Sequence, residues 1–186
     1  MLKRLGSFFL DLIEVVVLAF GFFLVVYLLI LQPHKIDGRS MEPNFHNGEY
    51  LLTQKVEYKL LKKLPQRGDV VVFEAPAPNQ DKDYIKRVIG LPGDEVSIRG
   101  GKYYINGNVL EESYIPKETS TLGAYFLQEG QNYIVPEGNY FVSGDNRPNS
   151  SDSRYFGAIP FESIKGKAWF RYWPINKAGA VPSPKY

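Results

Sequence analysis

Three short segments carry side chains whose chemistry can work together. The first, Ile36-Asp37-Gly38-Arg39-Ser40-Met41-Glu42-Pro43, sets a serine in a loop bounded by glycine and proline. The second, Asp83-Tyr84-Ile85-Lys86-Arg87-Val88-Ile89-Gly90-Leu91-Pro92-Gly93-Asp94, places Lys86 inside a strand-like run with Ile85 and Val88 beside it. The third, Gly144-Asp145-Asn146-Arg147-Pro148-Asn149-Ser150-Ser151-Asp152-Ser153-Arg154, is a dense polar loop following an apolar run. A serine hydroxyl is a weak nucleophile until a neighbouring base removes its proton. Lysine is such a base only when neutral. Its ordinary pKa is about 10.4, so a site that uses Lys86 must desolvate the ammonium. Arginine cannot replace it, because a guanidinium does not give up its proton. Each segment also has a plain reading. Ser40 fits an ordinary turn, Lys86 fits an edge-strand guard, and Asp145, Asn146 and Asp152 are oxygen ligands suited to a calcium loop. Spacing alone does not bring Ser40 to Lys86.

Composition narrows the chemistry. The chain has 186 residues, no cysteine, two histidines and a formal net charge of +2. Thiolate zinc sites and a cysteine nucleophile are excluded, and a histidine-rich metal centre is not expected. The charges form no basic stripe, so nucleic acid is not an expected partner. No metal or cofactor is expected. A serine–histidine hydrolase using His34 or His46 is a weaker alternative. His46 sits in the turn Asn44-Phe45-His46-Asn47-Gly48, where nothing fixes a partner for it.

These segments need elements to position them. Lys3 and Arg4 precede an apolar stretch from Phe8 to Leu31, broken only by Asp11 and Glu14. About 20 apolar helical residues span a bilayer core. The run ends Leu28-Leu29-Ile30-Leu31-Gln32-Pro33-His34-Lys35, without the small residues of a cleavage site. Val15–Leu31 also lacks the polar face of a buried core helix. The expectation is an uncleaved signal anchor over residues 1–33, with its short positive tail in the cytoplasm and residues 34–186 outside the cell membrane. Ser40 follows Leu31 by nine residues, so the extended link holds it within about 30 Å of the anchor's end. That geometry favours a membrane-adjacent substrate.

Beyond Pro33 the pattern becomes β-rich. Strand-like runs occur at Tyr50–Leu52, Asp69–Phe73, Tyr84–Ile89, Glu95–Ile98, Lys102–Ile105 and Asn139–Ser143. Gly100-Gly101 and Asn106-Gly107 read as hairpin turns. Ala75-Pro76-Ala77-Pro78-Asn79 reads as a loop. Residues 111–138 read as an irregular excursion from the main sheet. Strands at short spacing without helical periods predict a mainly β catalytic domain, an antiparallel coiled sheet or barrel, behind one N-terminal transmembrane helix.

In this order, the three segments behind a signal anchor resemble bacterial type I signal peptidases, from the anchor to Trp173. The most specific parts are Ser40-Met41-x-Pro43, Tyr84-Ile85-Lys86-Arg87 with Leu91-Pro92-Gly93-Asp94, and Gly144-Asp145-Asn146-Arg147 with Asn149-Ser150-x-Asp152-Ser153-Arg154. The resemblance implies a membrane serine endopeptidase that removes signal peptides through an acyl-enzyme. It implies Ser40 as nucleophile, Lys86 as general base, Ser150 orienting the Lys86 amine, and Asp152 with Arg154 as a supporting ion pair. It further implies secretory preproteins as partners, with small residues at positions −1 and −3 held in shallow pockets lined by Ile36, Met41, Phe45, Val72, Tyr84 and Ile85. Many relatives carry a serine where this chain has Gly38, so the Ser40 N–H is expected to supply one oxyanion donor. Pro148 stands where aspartate is common. The run Trp169-Phe170-Arg171-Tyr172-Trp173-Pro174 suits either a headgroup-level contact with the lipid bilayer or a last core strand. The rival readings are a self-cleaving repressor-like serine–lysine protease, which lacks its DNA-binding domain here, and a non-catalytic membrane-tethered β module.

Overall fold

The computed structural model describes residues 2–25, 27, 31–59, 61, 63–76, 82–184 and 186. It opens with helix α1, Leu2–Val25. No residue of its apolar part, Phe8–Val25, is buried. A helix that bare is not a core helix of the β domain. At 1.5 Å per residue, α1 is about 36 Å long, enough to cross a bilayer core.

The remainder builds two open antiparallel sheets. The larger runs β1 (Leu31–Lys35), β2 (Tyr50–Gln54), β11 (Ile164–Trp173), β3 (Val70–Glu74), β4 (Asp83–Gly90), β9 (Asn139–Ser143) and β10 (Ile159–Pro160), with β12 (Gly179–Ala180) added on β11. The smaller runs β7 (Asn108–Val109), β6 (Lys102–Ile105), β5 (Glu95–Arg99) and β8 (Asn132–Ile134). Two single-turn helices, α2 (Val56–Lys59) and α3 (Ser153–Phe156), fill corners. The mainly β expectation holds, with both sheets open and neither closed into a barrel. The Gly100-Gly101 turn joins β5 to β6, with both residues at positive φ.

Strand alternation sorts the apolar side chains. Val71 and Phe73 of β3 join Val88, Tyr140, Val142 and Ile164 in one cluster. Val70 points the other way, to Ile36, Met41, Phe45, Leu51 and Ala168. A third cluster, with Ile89, Val96, Ile98, Tyr103 and Phe141, seals the small sheet onto the ends of β4 and β9. Residues 111–138 are mostly irregular, yet Leu127 and Val135 enter that third cluster and β8 pairs with β5. The loop at Ala75–Asn79 lies partly outside the described residues. So does the end of the apolar run, at residues 28–30.

β4 is the element that matters most. Its C-terminal half pairs with β3 on one side and with β9 on the other, through Arg87, Val88 and Gly90. Its N-terminal half, Asp83–Lys86, pairs with β3 only. β1 likewise pairs only with β2. Among the described residues, both β1 and the first half of β4 therefore present an unpaired edge beside the Ser40 loop.

Candidate active site

Met41 and Phe45 are buried anchors for the Ser40 loop. Phe45 N–H bonds to the Met41 carbonyl at 2.9 Å, and Ile36 and Gly48 close the loop's base through hydrogen bonds of 2.8 and 2.9 Å. Gly38 turns the chain at φ +108°, a region that side-chain-bearing residues avoid. Its N–H donates to Asn47 Oδ1 at 2.9 Å. Among the described residues the Ser40 N–H has no acceptor in the protein.

Lys86 projects from β4 to this loop. Its Nζ lies 2.8 Å from Ser40 Oγ and 2.9 Å from the Ile85 carbonyl, and 5.2 Å from the centre of the Tyr84 ring. The sequence could not supply this meeting, which spans 46 positions. Lys86 is only 4 % exposed and makes no ion pair among the described residues. Burial pushes its amine down to about 8, while the charges of Asp152 and Asp145 pull the other way. Desolvation wins because neither carboxylate touches the ammonium.

The polar loop after β9 holds the Ser40 loop in place. Asn146 N–H donates to the Ser40 carbonyl at 2.9 Å, and Asn146 Nδ2 to the Arg39 carbonyl at 3.0 Å. Asp145 receives Arg87 through two hydrogen bonds, of 2.9 and 2.7 Å, and Asn44 Nδ2 at 2.7 Å. Asp152 and Arg154 form the expected buried pair, Nε to Oδ1 at 2.8 Å and Nη2 to Oδ2 at 2.9 Å. Burial alone would raise the Asp152 carboxyl, but Arg154 and the Gly144 N–H hold it below the usual carboxylate range. Arg147 is buried against Glu112 and donates to the Gly144 carbonyl at 3.0 Å. The carboxylates that a calcium loop would need are thus engaged by guanidinium groups.

Ser150 is buried beside Asp152, where its hydroxyl helps hold that carboxyl down, and the hydrogen bond expected from its Oγ to Lys86 is not formed here. Gly144 explains its closeness to the site. A Cβ on Gly144 would come within 2.2 Å of Ser150 Oγ and 2.5 Å of the Ser40 carbonyl, so only glycine lets the two loops converge.

A cavity of about 310 Å³ opens beside Ser40 and Lys86. Ile36, Val72, Tyr84 and Ile85 line it, as expected from the sequence. Met41 and Phe45 lie in the core beneath. The cavity also takes in His34 and Asp83, whose side chains stand 3.6 Å apart, with Lys165 Nζ 2.6 Å from Asp83. Sequence reasoning missed this charged end, because β1 and β4 are brought together only by curling of the sheet. His46 turns away from Ser40, toward Glu49 and Lys177. The positioning roles of Arg87, Asn44 and Asn146 also went unread. Arg87 and Asn44 act on the Asp145 side chain and Asn146 on backbone carbonyls, contacts between distant segments that leave no mark on sequence spacing.

Comparison with known proteins gives a consistent result. A family model described as signal peptidase, peptidase S26, matches residues 9–173. A probable signal peptidase I-2 of Synechocystis sp. is 38% identical over 173 residues, covering 91% of this chain and 73% of that protein. Signal peptidase IB of Staphylococcus aureus is 36% identical, covering 87% of this chain and 88% of its own length. The crystal structure of a signal peptidase I from Enterococcus faecalis is 39% identical, with a TM-score of 0.46, and covers 56% of this chain and 97% of that one.

Proposed function

The chain belongs to the signal peptidase family, peptidase S26, and from that premise we propose that it cuts signal peptides from exported preproteins with Ser40 and Lys86 as its catalytic pair. The observation that carries this reading is the 2.8 Å contact between Lys86 Nζ and Ser40 Oγ, made by an amine that burial has pushed down to about 8. A neutral Lys86 takes the Ser40 proton as Oγ attacks the scissile carbonyl. The Ser40 N–H faces the developing oxyanion. Lys86 then protonates the leaving amine, which departs and leaves the acyl group on Ser40. Lys86 next takes a proton from water, whose oxygen attacks the ester, and returns it to Ser40 Oγ as the bond to the acyl carbon breaks. The signal peptide leaves with its new carboxyl group, which then ionises, and Ser40 and the neutral Lys86 are restored. Ser150, whose buried hydroxyl lies beside Asp152, is assigned to orient the Lys86 amine. Asp152 and Arg154 brace the loop below.

The substrate enters as an extended strand between the open edges of β1 and β4. Ile85 turns its carbonyl to this side, where it now receives Lys86 Nζ. The shallow lining of Ile36, Val72, Tyr84 and Ile85 fits small side chains at −1 and −3. The enzyme is membrane-anchored. We assign residues 1–33 to a cytoplasmic tail and spanning helix, and residues 34–186 to a catalytic domain on the extracytoplasmic side of the cell membrane. The test is processing of a preprotein in detergent micelles by the full chain, with Ser40→Ala and Lys86→Met run beside it. Shortening by the wild type alone is expected. Cleavage that survives Ser40→Ala would sink the proposal.

A further inference from the structure

A second groove, of about 550 Å³, lies against the other flank of the Ser40 loop. Pro43, Pro116, Leu122, Asn146 and Pro148 line it together with Glu42, Glu118 and the buried Arg147, whose guanidinium is taken up by Glu112. Its connection to the catalytic cavity is direct. Asn146, in its wall, donates to the Ser40 and Arg39 carbonyls. Glu42, at its rim, pairs at 3.2 Å with Arg39, which lines the catalytic cavity. The ridge between the two hollows is therefore the Ser40 loop itself. Any peptide whose carbonyl meets Ser40 Oγ must continue beyond that ridge.

We propose that this groove receives the first residues of the mature protein, just after the scissile bond, and that it selects among preproteins by those residues. The inference rests on the peptidase reading above and extends it. The two hollows recognise a chain by different means. The catalytic cavity offers strand edges, which bind backbone. The groove is walled by three prolines, which have no N–H to donate, so it reads side chains. Leu122 is 66 % exposed in the wall, an apolar contact waiting for a partner of like character. Glu42 is paired with Arg39, but Glu118 makes no ion pair among the described residues, and its carboxylate disfavours acidic residues by like-charge repulsion. The groove thus prefers an apolar side chain within the first few mature residues and rejects aspartate or glutamate there. It is shallow and open, which suits a product that must leave once the acyl group is on Ser40.

The test uses the full chain in micelles and two quenched fluorescent peptides with the same signal side. One ends one residue after the cut. The other extends six residues and carries leucine at the second and third. The longer peptide is expected to have a kcat/KM roughly tenfold higher, and replacing its leucines by aspartate should abolish that advantage. Leu122→Asp and Glu118→Lys both change exposed groups, so folding is not at risk. Leu122→Asp should collapse the long-to-short ratio toward one, and Glu118→Lys should restore cleavage of the aspartate peptide. A ratio near one in the wild type, or one that Leu122→Asp leaves intact, overturns the groove assignment. Failure of the wild type to cut either peptide overturns the peptidase reading beneath it, and the two failures are distinct.

Discussion

Lys86 and Arg87 are consecutive residues of one strand, both buried, and the fold treats them in opposite ways. Among the described residues Lys86 hydrogen-bonds only a hydroxyl and a carbonyl, with the Tyr84 ring 5.2 Å away. Arg87 meets Asp145 twice, donates to the Gly68 carbonyl at 2.9 Å and stacks 4.0 Å over the Tyr114 ring. Burial works against both charges. For Arg87 the hydrogen bonds and charge of Asp145 more than offset it and raise the pKa; for Lys86 nothing in contact does, and the pKa falls to about 8. The lesson is that a buried cation becomes a scaffold or a base according to whether a carboxylate touches it.

Several substitutions would break or sharpen this contrast. Lys86→Arg keeps the charge but installs a group that cannot lose its proton; kcat/KM for a preprotein should fall by at least about 10³-fold. Arg87→Met strands Asp145 without its partner. Denaturant or thermal unfolding should show a loss of about 3–5 kcal/mol, mostly recovered when Asp145→Leu is added. A loss below about 1 kcal/mol would erase the distinction drawn here.

Lys86 also carries a pH signature. Its amine is lowered in the fold, from 10.5 to about 8, so between these values the unfolded chain binds more protons and stability rises with pH. Below about 8 the penalty is fully present. Lys86→Met should therefore be more stable than the wild type at pH 7, by up to about 3 kcal/mol, and the difference should vanish near pH 10.5. Catalysis follows the same proton, with kcat/KM rising as pH approaches 8 and levelling above it; a flat profile contradicts Lys86 as base. The smallest effect is expected from Asp152→Asn. Asp152 raises Lys86, so its neutralisation should move the midpoint of the pH–rate curve downward.

Much of this molecule was legible in its residues. The strands at Lys102–Ile105 and Asn139–Ser143 occur at the expected bounds, because turn residues punctuate them and β-branched or aromatic residues fill them. β1 was not legible. Pro33 lies within it, and a proline argues against a strand unless the strand is an edge, as this one is. β11 was legible only in part: its end was read as either a lipid contact or a last core strand, and residues 164–168 were not read as strand. Its register slips at three places against its neighbours, which spoils the alternation that marks a strand. Within the site, residue types singled out Ser40 and Lys86 as candidates, and the family resemblance supplied their roles and the Asp152–Arg154 pair. The binding of Asn146 to the Ser40 backbone could not be foreseen, since a carbonyl accepts a hydrogen bond whatever side chain its residue carries. Lys86's isolation was equally invisible, being a property of what surrounds the amine in space.

The unpaired rims of β1 and β4 have a cost that the molecule must meet continuously. A bare ladder of N–H and C=O groups is a template for any passing extended chain, and in crowded solution it invites runaway self-association. Here the hazard is kept small by Pro33, which removes a donor, and by the charges of Lys35 and Asp83 along the rims. A transient visitor can still be gripped for a few residues, while a long permanent lodger finds the ladder interrupted.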